Sequence, residues 1–112
     1  MTSFSRGDIV LVRFVFADEQ GAKHRPGLIV STDRYHHGRR VAILAAITSN
    51  VGRLLVGDYR LKAWRESGLL YPSTVTGIVS TIKHDMIAQK LGAVRPSELQ
   101  AVEGQLRAIL SL

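Results

Sequence analysis

Five short runs rich in β-branched and aromatic residues, each cut off by a polar segment or a glycine, constrain this chain more than any other feature. The first is DIVLVRFVF, Asp8 to Phe16. In an extended strand Val10, Val12, Phe14 and Phe16 share one face, while Ile9, Leu11 and Val15 share the other, interrupted by Arg13. The second run, Gly27 to Thr32, is apolar through Val30. The third is Val41 to Thr48, ending in TSN, and the fourth is Val56 to Leu61. The fifth, Thr74 to Ile82, carries Gly77 inside it, which marks a bulge or a sharp bend. The polar stretches ADEQGAKHR and DRYHHGRR read as loops. Val51 to Leu55 reads as a turn, and Ala63 to Ser67 as a helical turn closed by Gly68. Strands this short, with little helix between them, predict a mainly β fold: a small, strongly bent sheet or barrel.

The last third changes character. Asp85 to Leu91 reads as a short helix stopped by Gly92. Pro96 to Leu110 reads as a longer one, with Leu99, Val102, Leu106, Ile109 and Leu110 at helical spacing on one face. Two starts compete for it. Pro96 suits the first helical position, and Ser97 with Gln100 matches a capping box one or two residues later. An amphipathic terminal helix is laid over the sheet or serves a dimer contact.

At 112 residues the default is one domain, residues 1–112, with one modest core. No apolar run approaches the ~20 residues of a membrane span. The first residues lack the pattern of a secretory signal, so a cytoplasmic location is expected. Cysteine is absent, which excludes disulfides, thiolate chemistry and cysteine-bound zinc. His36 and His37 are adjacent, a poor arrangement for one ion, and no carboxylate pattern accompanies them. No metal or cofactor is expected.

The net charge is +6 and the isoelectric point about 10.3, a balance that favours a polyanionic partner. Lys23, Arg25, Arg34, Arg39 and Arg40 lie close together in sequence with Tyr35, His36 and His37 between them. Planar rings among fixed cations suit single-stranded nucleic acid, whose bases stack while its phosphates pair. Arg25 precedes Pro26 at the mouth of the second strand. Proline fixes its own φ and biases the preceding residue toward an extended conformation, so this join aims a permanent positive fork outward. The bland alternative is an arginine in a surface salt bridge.

The ordered set RGDIVLVRF, HRPGLIVSTD, VAILAAITSN and STVTGIVSTI, followed by the amphipathic helix, resembles the MazF/PemK family, the toxins of type II toxin–antitoxin systems, over roughly Arg6 to Leu110. The resemblance implies an SH3-like barrel of bent antiparallel strands with added helices, a homodimer, and a cognate antitoxin partner. It implies a metal-independent endoribonuclease that cuts single-stranded RNA, often mRNA, to 2′,3′-cyclic phosphate and 5′-hydroxyl ends. By the same resemblance Arg25 and Thr48 match the catalytic pair, and Ser49 has a polar counterpart that helps hold RNA. The wider set of RNA-binding candidates is Lys23, His24, Arg34, Arg39, Arg40, Arg53, Thr74 and Thr76. The sequence departs from the pattern at one point. Some members place a carboxylate on the strand matching STVTGIVSTI, whereas here there is none before Asp85.

The proton acceptor stays open at this level. His24 has suitable chemistry, but in an extended backbone it points away from Arg25. His36, His37 and His84 are further imidazoles, and Asp18 and Glu19 are loop carboxylates. Trp64 and Tyr71 read as packing or dimer contacts. Two other functions compete: a barrel that binds nucleic acid without cutting it, and a toxin of the same fold that grips a protein target.

Overall fold

The computed structural model describes residues 3–15 and 21–112, with Val15 described by its backbone alone. Asp18 and Glu19 lie outside the described residues. Six strands form one antiparallel sheet in the order β4-β5-β3-β2-β1-β6. They are β1 (Asp8–Val15), β2 (Ala22–Ile29), β3 (Val41–Thr48), β4 (Tyr59–Arg60), β5 (Thr74–Lys83) and β6 (Ile87–Ala93); two helices, α1 (Asp33–Arg39) and α2 (Pro96–Leu110), complete the set. The mainly β class and the terminal helix are as the sequence predicts. Among the described residues, no helix is long and apolar enough to cross a membrane.

Strand alternation builds two cores, one on each face of the sheet. Ile9, Leu28, Ala45, Ile47 and Val75 face α2 and cluster with its Leu99, Val102 and Leu106. Their sequence neighbours Val10, Ile29 and Leu44 face the other way with Val12, Ala42, Ile82 and Ile87, and Phe4, Phe14 and Met86 close that side. Because both faces are buried, the central strands read as nearly continuous apolar runs. Leu110 stays 57% exposed, off the stripe assigned to it.

Bulges shape the sheet. Ala45 pairs with Val79 but Ile47 with Val75, so three β5 residues, centred on Gly77, oppose Ala46. The glycine-marked bend is therefore real. A Cβ at Gly77 would lie 3.3 Å from the Val56 carbonyl oxygen and 3.4 Å from the Gly57 Cα, which explains the residue chosen.

Four sequence expectations need correction. Strand β2 starts at Ala22, not Gly27, because its polar half pairs with β1 from Val12 to Val15 and needs no apolar face of its own. DRYHHGRR is α1 rather than a loop: the Thr32 side chain accepts the Tyr35 N–H and caps its start, Arg40 ends it in the left-handed conformation, and His36 alone is buried. With so little apolar face it carries no helical periodicity to read. The fourth strand is only Tyr59–Arg60. Asp85 to Leu91 is a 3-10 turn, His84–Met86, followed by β6, since pairing with β1 overrides weak helical propensity. Helix α2 takes the proline start: Pro96 is its first residue and no side-chain hydrogen bond caps it, so the Ser97–Gln100 box is not formed.

Candidate RNA-processing groove

The β2–β3 ladder contains three rungs, Gly27–Ala46, Leu28–Ala45 and Ile29–Leu44. Beyond Gly27 and Ala46 the two strands part. β2 continues against β1 out to Ala22, and β3 continues against β5 out to Thr48. Arg25 and Thr48 each sit two residues past the last rung, one on either arm of the resulting fork. Gly27 makes the crotch of the fork possible, since a Cβ there would lie 2.9 Å from Leu44 Cδ1. Pro26, one residue further out, brings no backbone N–H to a ladder.

The fork opens into a groove of about 980 Å³. Apolar side chains such as Leu11, Phe14, Ile47, Leu69 and Ile78 form much of its wall, and polar groups are set along it: His24, Arg25, Thr48, Ser49, Tyr71, Ser73, Thr76, Ser80 and Gln89. The sequence argument placed His24 and Arg25 on opposite faces. Both reach the groove, because β2 has no strand on this side of residues 23 to 25 and the groove runs along that open edge.

Arg25 is exposed, and its side chain makes only a 3.4 Å hydrogen bond from Nη1 to the His24 carbonyl. The Thr48 hydroxyl accepts the Asn50 N–H at 3.1 Å, which turns the chain after β3 and leaves the hydroxyl proton to be donated elsewhere. Thr76 donates to the Ala46 carbonyl at 2.8 Å and accepts the Ile78 N–H at 3.2 Å, so it holds the bulge as well as lining the groove. No carboxylate lines the groove among the described residues. The departure seen in the sequence thus persists in three dimensions.

The remaining sequence candidates fall elsewhere. Thr74 is 1% exposed, buried beneath the groove. Lys23 is exposed on the outer half of β2, next to the fork, and Arg53 lies exposed on the segment between β3 and β4. Arg34 is exposed on α1, and Arg39 and Arg40 line a separate, smaller groove. Of the other histidines, His37 is exposed, and His36 is buried, hydrogen-bonded at 2.5 Å between its Nε2 and Ser31 Oγ. Burial lowers the His36 pKa, only partly countered by Asp33. Phe4 packs against His36 and His84, 4.9 Å from each ring centroid. None of these three imidazoles lines the large groove. Trp64 packs on the core as expected, but Tyr71 is 66% exposed at the groove rim.

Sequence reasoning missed Glu98. This buried carboxylate on α2 accepts hydrogen bonds from the Tyr59 hydroxyl at 2.9 Å and from the Lys62 and Ala63 N–H groups at 2.6 and 3.2 Å. Burial and the Glu98 carboxylate push the Tyr59 pKa up to about 12. The acidic residue in the first turn of α2 was the available signal, but its partners lie more than thirty residues away.

With this geometry in place, comparison with known proteins is decisive on kinship. Residues 5–110 match the family model described as PemK-like, MazF-like toxin of type II toxin–antitoxin system. The chain belongs to that family. Among solved structures, this MazF/PemK chain is similar to the Mycobacterium tuberculosis toxin MazF-mt6, at 24% identity and a TM-score of 0.75 over 94% of this chain and 97% of that one. It is also similar to a MazE–MazF structure from Deinococcus radiodurans, at 17% identity and a TM-score of 0.81 over 96% of each chain. A third similar structure is an endoribonuclease from a mycobacterial species, at 19% identity and a TM-score of 0.75 over 100% of this chain and 95% of that one. At these identities the likeness is one of fold. No curated protein sequence matches the chain.

Proposed function

We propose that this MazF/PemK-family chain is an endoribonuclease toxin that cuts single-stranded RNA by using the substrate's own 2′-hydroxyl as nucleophile. The observation that carries the reading is the placement of Arg25 and Thr48 on the two arms of the β2–β3 fork, facing one groove. In this chemistry the 2′-oxygen gives up its proton and attacks the adjacent phosphorus, the bond to the 5′-oxygen breaks, and the leaving 5′-oxygen takes up a proton from water. The products are a 2′,3′-cyclic phosphate and a 5′-hydroxyl. DNA lacks the attacking group, which selects RNA. The similar mycobacterial endoribonuclease structures support the assignment.

Each residue then has a job. The Arg25 guanidinium pairs two non-bridging phosphate oxygens and offsets the charge that builds there. The Thr48 hydroxyl donates a further hydrogen bond to the phosphate. His24 takes the 2′-hydroxyl proton: among the described residues it is the only imidazole lining the groove, and no carboxylate competes for the role. Ser49 and Thr76 contact the strand on either side. The reading needs no metal ion.

A homodimer and a cognate antitoxin belong to the same reading, as does a cytoplasmic site of action. Leu54, Leu55 and Val56 are 50%, 57% and 91% exposed, and Leu70 and Ile78 are 83% and 69% exposed. Apolar surface on this scale is what a partner chain covers, and similar structures include MazE–MazF complexes.

Variants test the site. Arg25→Ala lowers kcat by on the order of 10² or more with stability changed by less than about 0.5 kcal/mol, since the side chain is exposed and weakly bonded. Thr48→Val, which keeps the branched strand shape, also cuts poorly. Normal cleavage by folded Arg25→Ala removes the assignment. RNA bound tightly but left intact by the parent protein moves the chain to a binding role.

A further inference from the structure

The smaller groove, about 390 Å³, is lined by Arg39, Arg40, Val41, Lys83, His84 and Asp85. It lies at the opposite end of β3 from Thr48, about 23 Å away at the rise of an extended strand. We propose that it is a second RNA site, one that grips a backbone phosphate of the same strand whose scissile bond lies in the fork. The proposal rests on the ribonuclease reading above and extends it to residues outside the reaction groove.

Three observations carry it. First, the ladder concentrates like charge. Val41 pairs with Lys83, and beyond this rung the His84 N–H donates to the Arg40 carbonyl at 3.3 Å, so Arg40 and Lys83 come from adjoining strand ends. Like charges so placed repel unless an anion lies between them. Second, the cations form no ion pair among the described residues. Among the described residues, no carboxylate lies within ion-pair distance of Arg39, Arg40 or Lys83, whereas Arg6, Lys90 and Arg95 each have one. Arg39 lies over the Tyr35 ring at 5.9 Å and is exposed. Asp85 is the one opposing charge in the lining. Third, Arg40 holds φ at +55°, a conformation that favours glycine. Fold stability alone selects against an arginine there.

The groove is open and its cations are exposed, so a lone phosphate ion exchanges its water for little gain. A strand already held in the fork is different: its next phosphates arrive at high effective concentration. That favours a phosphodiester chain over a free anion.

The test compares two substrates: a long single-stranded RNA, and a short oligonucleotide that fills the fork alone. The variant is Arg40→Gly/Lys83→Ala, chosen because glycine relieves the backbone at position 40; its Tm stays equal to the parent's or rises. The expected result is a KM for the long strand raised about tenfold with kcat unchanged. The slope of log affinity against log salt becomes shallower by about 1.4 for two lost cations, and the short oligonucleotide keeps its KM. An unchanged KM on both substrates overturns the second site while leaving the ribonuclease reading intact, since the parent still cuts. An equal rise on both overturns it too, as a general charge effect. Inorganic phosphate raising the parent's Tm but not the variant's, with RNA kinetics unaltered, reassigns the groove to a free anion. An acidic antitoxin peptide whose affinity alone falls reassigns it to protein. No RNA bound or cut by the parent removes both readings together.

Discussion

Single residues divide into those that hold this fold and those that serve the groove. Glu98 belongs to the first kind. Glu98→Ala strands the Lys62 and Ala63 N–H groups and the Tyr59 hydroxyl, and a urea titration should show a loss of about 2–4 kcal/mol. Tyr59 reports the same contact. Its pKa is raised from 10.0 to about 12, so the stability it contributes is complete below pH 10 and is lost as pH climbs through 12. Absorbance titration of tyrosinate checks this, with Tyr59→Phe removing the late-ionising component. His24 belongs to the second kind. If it accepts the 2′-hydroxyl proton as proposed, His24→Gln should lower kcat on the order of 10²-fold with RNA affinity little changed. A kcat equal to the parent's in His24→Gln assigns the proton to another group. Arg25 and Thr48 stood out in the sequence as candidates through the family resemblance. The geometry that unites them was not legible there, since it depends on where the β2–β3 ladder stops. Glu98 was illegible for a related reason: a buried carboxylate is explained only by partners brought from another segment.

At the scale of elements, the strands that could be read were those whose apolar runs enter a core. Asp8–Val15, Val41–Thr48 and Thr74–Lys83 are the three, the last with its bulge announced by Gly77. The outer half of β2, β6 and α1 could not be read, because neighbours rather than periodicity hold them. The turn from Ala63 to Gly68 was legible, but its purpose appears only in three dimensions. It crosses β6 backbone to backbone: a Cβ on Gly68 would lie 2.1 Å from the Leu91 carbonyl oxygen, and one on Gly92 would lie 2.2 Å from that of Ser67. Gly68 also holds φ at +94°. Gly68→Ala or Gly92→Ala should therefore cost on the order of 3 kcal/mol, read as a lowered urea midpoint. A midpoint within experimental error of the parent's would show that the two segments can separate freely. Because Leu69, Leu70 and Tyr71 follow the crossing directly and line the groove, its loss should also weaken RNA binding.

At the scale of the molecule, the sheet sets two positively charged grooves at the two ends of β3, the fork with Arg25 and the cluster of Arg39, Arg40 and Lys83. A net charge of +6 favours a polyanionic strand at both, as the proposed reading requires. In the proposed reading the fork is where the bond is cut. The central claim is that this groove, lacking any carboxylate among its described residues, still carries out transfer to the 2′-oxygen. The most direct measurement is incubation of a long single-stranded RNA with the protein in excess EDTA, followed by mapping of the new ends. The account predicts 2′,3′-cyclic phosphate and 5′-hydroxyl ends that disappear with Arg25→Ala. Ends bearing a 5′-phosphate, or RNA left intact by a folded and RNA-bound protein, would contradict it.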